Sequence, residues 1–212
     1  MQHPVKPQSP PSAPRLVLGS SSAYRRELLA RLRIPFDTMA PDIDETPHAG
    51  ESPEQTACRL AHEKAAAISL RAPGALIIGS DQVATLDGEQ IGKPGNHENA
   101  LRQLQKMRGR EVVFHTALCL FDGRTERPER VPQCQSENVQ TVVAFRHLSD
   151  RELDAYLRLE QPYDCAGSAK NEGLGIAIIA SIHSSDPTAL TGLPLITLTT
   201  MLRKAGVSFF AG

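Results

Sequence analysis

The amino-acid sequence predicts an α/β fold in which helices flank a mixed β-sheet. Two apolar runs, Leu16-Val17-Leu18 and Leu76-Ile77-Ile78, each end in a glycine followed by a serine. That pattern is typical of buried strands that open into a ligand site at one edge of an α/β sheet. Strand and helix patterns alternate at first, and two long β segments come later. A doubly wound fold would continue the alternation, so the long segments indicate a mixed sheet.

The first part of the chain carries the alternation. Its second helix has the clearest start, with Ser52 as N-cap, Pro53 at the first helical position and Gln55 as partner in a capping box. An apolar stripe continues from there at helical spacing. The predicted elements are, in order, a strand at 15–19, a helix at 22–33, a strand at 36–39, a helix at 52–70 and a strand at 75–78.

The rest of the chain is predicted from turn and capping signals. Asp87-Gly88 predicts a hairpin turn, Ser149 with Glu152 a second capping box, and Asp186-Pro187 the start of a last helical region. The predicted elements are hairpin strands at 83–86 and 90–92, a helix at 96–107, β segments at 111–121 and 137–145 with a loop between them, a helix at 149–159, a strand at 174–182 and a helical region at 186–206.

The composition bounds the class of protein. A chain of 212 residues is long enough for one domain with a sizeable core, which we predict over 15–212. A net charge of -1 and an aromatic content of 4% argue against nucleic-acid binding, and no apolar run reaches the roughly 18 residues of a membrane span. The four cysteines contain no C-x-x-C pair, which predicts reduced thiols in a cytoplasmic protein. Residues 1–14 hold five prolines, which predicts a disordered tail.

A serine-rich junction follows the first strand. In Gly19-Ser20-Ser21-Ser22 the free backbone N–H groups of a helix start suit an anion, and the hydroxyls add donors. Arg25, in the first turn, is placed to reach the same phosphate. The alternative is that the serines only cap the helix. The Walker A pattern is missing, which argues against an ATPase or GTPase P-loop.

Carboxylates that suit a divalent metal occur in two places. Asp81 follows an apolar run, and Asp42, Asp44 and Glu45 lie in a proline-bounded turn. Mg²⁺ prefers oxygen ligands and usually takes one or two protein carboxylates with water and substrate phosphates, so Asp81 and one acid of the turn would suffice. A solvated acidic loop is the alternative for each acid of the turn.

Two lysines are candidates for phosphate contacts. Lys64 lies on the apolar stripe of the second helix, where it must extend to solvent, form an ion pair or point into a polar cleft. Lys93 follows a predicted strand in Ile91-Gly92-Lys93-Pro94, where an exposed turn lysine is an equally ordinary interpretation. Cys165 has no neighbouring base, so we interpret it as a packing residue and not as a nucleophile.

These segments together resemble the Maf family of nucleoside triphosphate pyrophosphatases over about residues 15–206. Each motif is weak alone, but their number and their order make the resemblance strong. The motifs that carry it are Ser20-Ser21-Ser22-x-x-Arg25, Asp44-Glu45-Thr46-Pro47, Ala61-x-x-Lys64-Ala65, Gly79-Ser80-Asp81-Gln82-Val83, Gly92-Lys93-Pro94, Phe145-Arg146-x-Leu148, Asp164-Cys165-Ala166-Gly167-Ser168, Glu172-Gly173-Leu174-Gly175 and Ser185-Asp186-Pro187-Thr188-Ala189-Leu190.

The resemblance implies a fold, a reaction and roles. It implies an elongated, curved sheet with two lobes around a central cleft, and a homodimer. It implies cleavage between the α and β phosphates with Mg²⁺, Mn²⁺ or Co²⁺. The implied roles are proton acceptor for Asp81, metal ligands for Glu45 and Asp81, catalytic phosphate contacts for Lys64 and Lys93, and substrate binding for Ser20, Ser21 and Arg25. The sequence leaves open which of Asp81 and Glu45 binds the metal and which takes the proton.

The specificity positions of the family fall on Tyr24, Gln82 and Glu172. Ser80-Asp81-Gln82 resembles the branch that acts on 7-methyl-GTP, whereas the dTTP/UTP branch typically has Ala-Asp-Thr there. Tyr24 would stack on the cationic base, where tryptophan is expected in the nearest relatives, and Glu172 would accept hydrogen bonds from guanine. We therefore expect a pyrophosphatase that keeps methylated nucleotides out of RNA and DNA. The alternatives are a dTTP/UTP pyrophosphatase and a non-catalytic nucleotide-binding regulator of cell division.

Overall fold

The computed structural model describes residues 14–124 and 133–210. The predicted tail, apart from Pro14, lies outside the described residues, as does most of the loop predicted between the long β segments. The strands are β1 (Leu16–Gly19), β2 (Asp37–Met39), β3 (Leu76–Leu86), β4 (Glu89–Ile91), β5 (Glu111–Asp122), β6 (Gln133–Phe145) and β7 (Ile179–Ser184). The helices are α1 (Ala23–Ala30), α2 (Pro53–Ser69), α3 (His97–Met107), α4 (Asp150–Glu160) and α5 (Leu195–Lys204).

The strands form one mixed sheet, which confirms the predicted fold class. Their order is β2-β1-β3-β5-β6-β7, with β4 paired to β3 as a hairpin. β1 runs parallel to β2 and to β3, and all other pairs are antiparallel. The hairpin turns at Asp87 and Gly88, whose φ angles of 52° and 83° fit the predicted turn. No helix among the described residues is long and apolar enough to cross a membrane.

The long strands β3 and β5 join two lobes with separate cores. Side chains alternate along β3, so that Ile78 packs with α1 and α5 on one face and Ile77 packs with α2 on the other. Further along the same strand, Ala84 belongs to a core formed with α3 and α4. The candidate site lies in the cleft between these two lobes.

Several predicted boundaries were wrong, including the start of β6, which is Gln133 and not residue 137. β3 continues past Asp81 to Leu86, because β5 pairs with it along residues 76–85. The strand predicted at 174–182 begins only at Ile179, since Leu174–Ile178 is a 3₁₀ helix in which Ile176 N donates to Gly173 O at 3.4 Å. The last helix begins at Leu195, and not near Asp186.

Asp186 nevertheless caps that helix from a distance. Its buried carboxylate accepts hydrogen bonds from the backbone N–H groups of Ile196 and Thr197 at 2.7 and 3.1 Å. These are N–H groups of the first turn, which have no partner inside a helix. The predicted capping role of Asp186 is thus correct, while the helix start was misplaced.

The expectation of four reduced thiols is wrong for one pair. Cys119 of β5 and Cys134 of β6 form a disulfide, with Cα atoms 6.4 Å apart. Cys58 and Cys165 are free.

Candidate active site

The site begins with a glycine that lets α2 lie directly on β3. A Cβ atom on Gly79 would stand 2.0 Å from the carbonyl oxygen of Ala61 and 2.9 Å from the backbone nitrogen of Ala65. Only a residue without a side chain allows this approach. The close packing brings the next turn of α2, with Lys64, over the strand position of Asp81.

Lys64 is buried between two carboxylates. Its Nζ atom lies 2.6 Å from Oδ1 of Asp81 and 2.7 Å from Oε1 of Glu45. The Lys64 and Asp81 residues are 5% and 7% exposed, so their charges have little access to water. Of the interpretations open for a lysine on the apolar stripe, the structure shows the ion pair.

Glu45 is the acid of the proline-bounded turn that reaches the site. Desolvation raises the pKa of Glu45, but hydrogen bonding and charge from Lys64 outweigh it, with Lys93 and Arg25 adding to the effect. The pKa therefore lies below its ordinary value, and Glu45 is a carboxylate at neutral pH. Asp44 instead accepts a hydrogen bond from the Thr46 backbone at 2.9 Å on the surface, and Asp42 is exposed.

The serine-rich junction both caps α1 and faces the cleft. Ser22 Oγ accepts from the backbone nitrogen of Arg25 at 3.3 Å, which makes Ser22 the N-cap. Ser20 Oγ accepts from the backbone nitrogen of Ser22 at 3.1 Å, and Ser21 is exposed. The capping interpretation thus holds for Ser22, while Ser20 and Ser21 line the cleft.

Arg25 is held by a backbone carbonyl. Its Nε atom donates to Gly192 O at 2.9 Å, and the same carbonyl accepts from Ser80 Oγ at 2.9 Å. Desolvation lowers the pKa of Arg25, while the negative charges of Asp81 and Glu45 oppose that shift. A guanidinium stays charged under such conditions, so Arg25 faces the cleft as a cation.

Gln82 has its amide orientation fixed by three oxygens. Nε2 donates to Thr116 Oγ1 at 2.9 Å, to Ala189 O at 3.1 Å and to Leu190 O at 3.0 Å. Two of these partners are carbonyls, which only accept, so the nitrogen must face them. The Oε1 atom is left as an acceptor for a ligand in the cleft.

Tyr24 and Glu172 lie where two segments distant in sequence meet. The Nζ atom of Lys170 stands 5.9 Å from the centroid of the Tyr24 ring and 3.0 Å from Oε1 of Glu160. Glu172 is exposed at the edge of the cleft. Neither Lys170 nor Glu160 stood out in the sequence, because their relation to Tyr24 exists only in the fold.

One cleft of about 850 Å³ contains every predicted site residue. Lys93 is exposed in the turn after β4, and among the residues that the structure describes its ammonium has no hydrogen-bond or ion-pair partner. The structure brings the residues together, and their individual roles remain predictions. The predicted site residues that line the cleft are Ser20, Ser21, Tyr24, Arg25, Glu45, Lys64, Asp81, Gln82, Lys93 and Glu172.

Sequence reasoning missed the segment 190–192, which lines the cleft. Its signal was the motif beginning at Ser185, whose buried Asp186 also accepts from Thr188 Oγ1 at 2.8 Å. Cys165 also lines the cleft, and its interpretation as a packing residue is consistent with its chemistry. Burial, with the charge of Asp164 adding to it, raises the pKa of the Cys165 thiol to about 12.

Glu45 and Asp81 are the carboxylates of the cleft that could serve as ligands to a hard divalent metal. Two carboxylates, Glu45 and Asp81, converge on a single point now marked by the Lys64 ammonium. Within residues 14–124 and 133–210, no cluster of three or more His, Cys, Asp or Glu side chains is arranged to hold a metal ion. A bound ion would thus depend on oxygens from water and phosphate, as Mg²⁺ usually does.

The sequence comparisons identify one family. The family model described as Maf-like protein matches residues 15–205. The protein of Cupriavidus pinatubonensis named 7-methyl-GTP pyrophosphatase is 64% identical over 198 residues, which cover 93% of this chain and 96% of the relative. A relative of the same name from Ralstonia nicotianae is 64% identical, with 93% of this chain and 99% of the relative covered. Another from Burkholderia thailandensis is 63% identical, with 99% of this chain and 94% of the relative covered. The Ham1 protein of Staphylococcus aureus, a solved structure, has a TM-score of 0.39 and 16% identity over 63% of this chain and 72% of its own.

Proposed function

The chain belongs to the Maf family, and on that premise we propose that it is a nucleoside triphosphate pyrophosphatase that hydrolyses 7-methyl-GTP to the monophosphate and diphosphate. The observation that carries the proposal is the buried Lys64 ammonium between Glu45 and Asp81, at the base of a cleft that also holds Tyr24 and Gln82. The names of relatives at 64% identity support the choice of substrate.

In the proposed reaction, Asp81 accepts a proton from the attacking water. A water oxygen attacks the α phosphorus, the bond from that phosphorus to the α–β bridging oxygen breaks, and the water proton passes to Asp81. Arg25, Lys64 and Lys93 supply the positive charge that stabilises the phosphate oxygens as negative charge builds on them. Because Lys64 is buried, its charge stabilises the phosphate oxygens more strongly than the charge of an exposed lysine would.

A divalent cation, Mg²⁺, Mn²⁺ or Co²⁺, completes the proposed site, with Glu45 and Asp81 as its protein ligands. When bound it would polarise the phosphoryl oxygens and make a nearby water more acidic. The ligand set supports this assignment, because two converging carboxylates match the few protein ligands that Mg²⁺ takes.

Recognition of the methylated base is assigned to three side chains. The Tyr24 ring offers a face to the cationic purine, and Glu172 a negative charge. Gln82 offers Oε1 alone, since its nitrogen is held by three oxygens. An acceptor at that position suits the N–H donors on the Watson–Crick edge of guanine.

Pyrophosphate release from 7-methyl-GTP, GTP, dTTP, UTP, CTP and ITP tests the proposal. We expect 7-methyl-GTP to be preferred, Asp81→Asn to abolish turnover, and Asp42→Asn, at an exposed acid of the turn that carries Glu45, to leave it unchanged. Gln82→Thr should shift the preference away from the methylated purine. A wild type that prefers dTTP or UTP would overturn the substrate, and a wild type that acts on no nucleoside triphosphate would overturn the activity.

We also propose that the enzyme is cytoplasmic, where its nucleotide substrates are, and that it forms a homodimer, as the family resemblance implies. Light scattering on the purified chain tests the second statement, and a monomer at micromolar concentration would contradict it. Fractionation of cells tests the first.

A further inference from the structure

We propose that Gln103 of α3 is a positioning residue that keeps two walls of the cleft in register, an inference that rests on the proposed function. One wall is the Lys93 turn, residues 92–95, and the other is the Glu172 loop, residues 164–175. Nothing in the sequence pattern singles out Gln103, which is a partly buried amide beside the core position Leu104.

The side-chain amide of Gln103 bonds to both walls. Nε2 donates to the carbonyl oxygen of Gly92 at 3.0 Å, and Oε1 accepts from Ser168 Oγ at 2.6 Å. The carbonyl can only accept, so the orientation of the amide follows from its partners. Gly92 directly precedes Lys93, and Ser168 lies four residues before Glu172. One side chain therefore connects the backbone that carries Lys93 with the backbone that carries Glu172.

The Glu172 loop needs such a contact because its backbone is in an unfavourable conformation at Ser168. Gly167 and Ser168 have φ angles of 73° and 53°, the left-handed region that a serine rarely adopts. Ser168 is fully buried, and its carbonyl accepts from the Tyr156 hydroxyl at 3.2 Å while its own hydroxyl donates to Gln103. Loss of Gln103 would leave that buried hydroxyl without its partner, so the loop would shift to satisfy it.

The Lys93 turn is fixed through its backbone. Pro94 O accepts from Asn99 Nδ2 at 2.9 Å, and the Gly95 nitrogen donates to Tyr163 O at 3.0 Å, so the far side of the turn is tied to its surroundings. Gln103 ties the near side, at Gly92. Displacement of a catalytic group by about 1 Å can cost on the order of 100-fold in rate, so the anchor of this turn affects how well Lys93 meets the phosphates.

The test is a double-mutant cycle between Gln103 and Lys93, read as kcat and KM for 7-methyl-GTP and for GTP. Gln103→Leu removes both hydrogen bonds at similar volume, and Gln105→Leu, an exposed position of the same helix, is the matched control. For GTP, we expect Gln103→Leu to lower kcat/KM about 10-fold in the wild type but less than about 2-fold in Lys93→Ala, because two groups that act together are not additive. The preference for 7-methyl-GTP over GTP should fall as well, since Glu172 moves with its loop.

A second variant guards against a simple packing effect. Gln103→Glu keeps an acceptor for Ser168 but turns a carboxylate toward the Gly92 carbonyl. It should therefore lower kcat/KM at least as much as Gln103→Leu does. If Gln103→Leu lowered kcat/KM equally in the wild type and in Lys93→Ala, or lowered Tm with unchanged kinetics, the positioning role alone would be overturned. A wild type without turnover on any nucleoside triphosphate would overturn the proposed function and this role together.

Discussion

The Nζ atom of Lys64 lies 2.6 Å from Oδ1 of Asp81, and both side chains are almost entirely removed from solvent. Lys64 comes from α2 and Asp81 from the middle of β3, so the contact exists only because the helix lies on the strand. The same ammonium reaches Glu45 at 2.7 Å. One buried cation therefore compensates two carboxylates, of which Glu45 is the one open to solvent.

Removal of the Lys64 charge should affect stability and activity together. Lys64→Met keeps most of the aliphatic stem but leaves Asp81 buried without its cation. We expect urea unfolding to show a loss of about 3 kcal/mol, the scale for breaking a buried ion pair. Pyrophosphate release should fall at least about 100-fold, because a charge near the phosphates is lost. Lys106→Met, at an exposed position of α3, should change neither quantity, and a stable Lys64→Met protein would refute the importance of the pair.

A side chain at Gly79 should separate α2 from β3. The new Cβ of Gly79→Ala would meet the Ala61 carbonyl at 2.0 Å, and a backbone oxygen cannot rotate away as a side chain does. We expect the free energy of unfolding to fall by about 3 kcal/mol or more, at the upper end of overpacking effects. Gly92→Ala is the control for stability, because a Cβ there has no atom within 4 Å. Equal Tm values for the two variants would contradict the close packing.

Acid denaturation should report on Glu51, which links the acidic turn to α2. Hydrogen bonds from Arg59 at 2.7 and 2.9 Å are the main reason that the pKa of Glu51 falls from 4.5 to about 2. A carboxyl whose pKa is lower in the folded state stabilises the protein above its unfolded pKa, and that contribution disappears as the pH falls through the folded value. We expect Glu51→Gln to be less stable than the wild type at pH 7, with unfolding curves that converge between pH 4.5 and about 2. Curves that stay apart down to pH 2 would contradict this assignment.

A larger aromatic surface at Tyr24 should strengthen binding of a cationic base. Tryptophan presents the better face for a cation, so Tyr24→Trp should lower KM for 7-methyl-GTP by about 3- to 10-fold while changing KM less for GTP, whose base is uncharged. Tyr24→Leu should do the reverse and reduce the preference. Steady-state kinetics on both nucleotides provide the measurement, and parallel changes for the two would show that Tyr24 does not read the charge of the base.

Local signals were predicted well because they depend on residues that are close along the chain. The capping boxes at Ser52 and Ser149 form as expected, each with reciprocal hydrogen bonds to the residue three positions later. The 3₁₀ helix at Leu174–Ile178 was predicted as a strand, since apolar, β-branched residues suit either structure when no partner strand is specified. The disulfide between Cys119 and Cys134 escaped prediction for a related reason, as it depends on the pairing of β5 with β6.

The sequence by itself determined the order of most elements and the mixed sheet, because caps and turns depend on neighbouring residues. It also named residues that the structure brings to one cleft. Only the tertiary structure decided that Glu45, and not Asp42 or Asp44, reaches Lys64, and that the amide nitrogen of Gln82 bonds to the carbonyls of Ala189 and Leu190. Those outcomes depend on contacts between segments as much as 108 residues apart, such as Gln82 with Leu190. Such contacts follow from how closely helix and strand pack, and no local pattern specifies that distance.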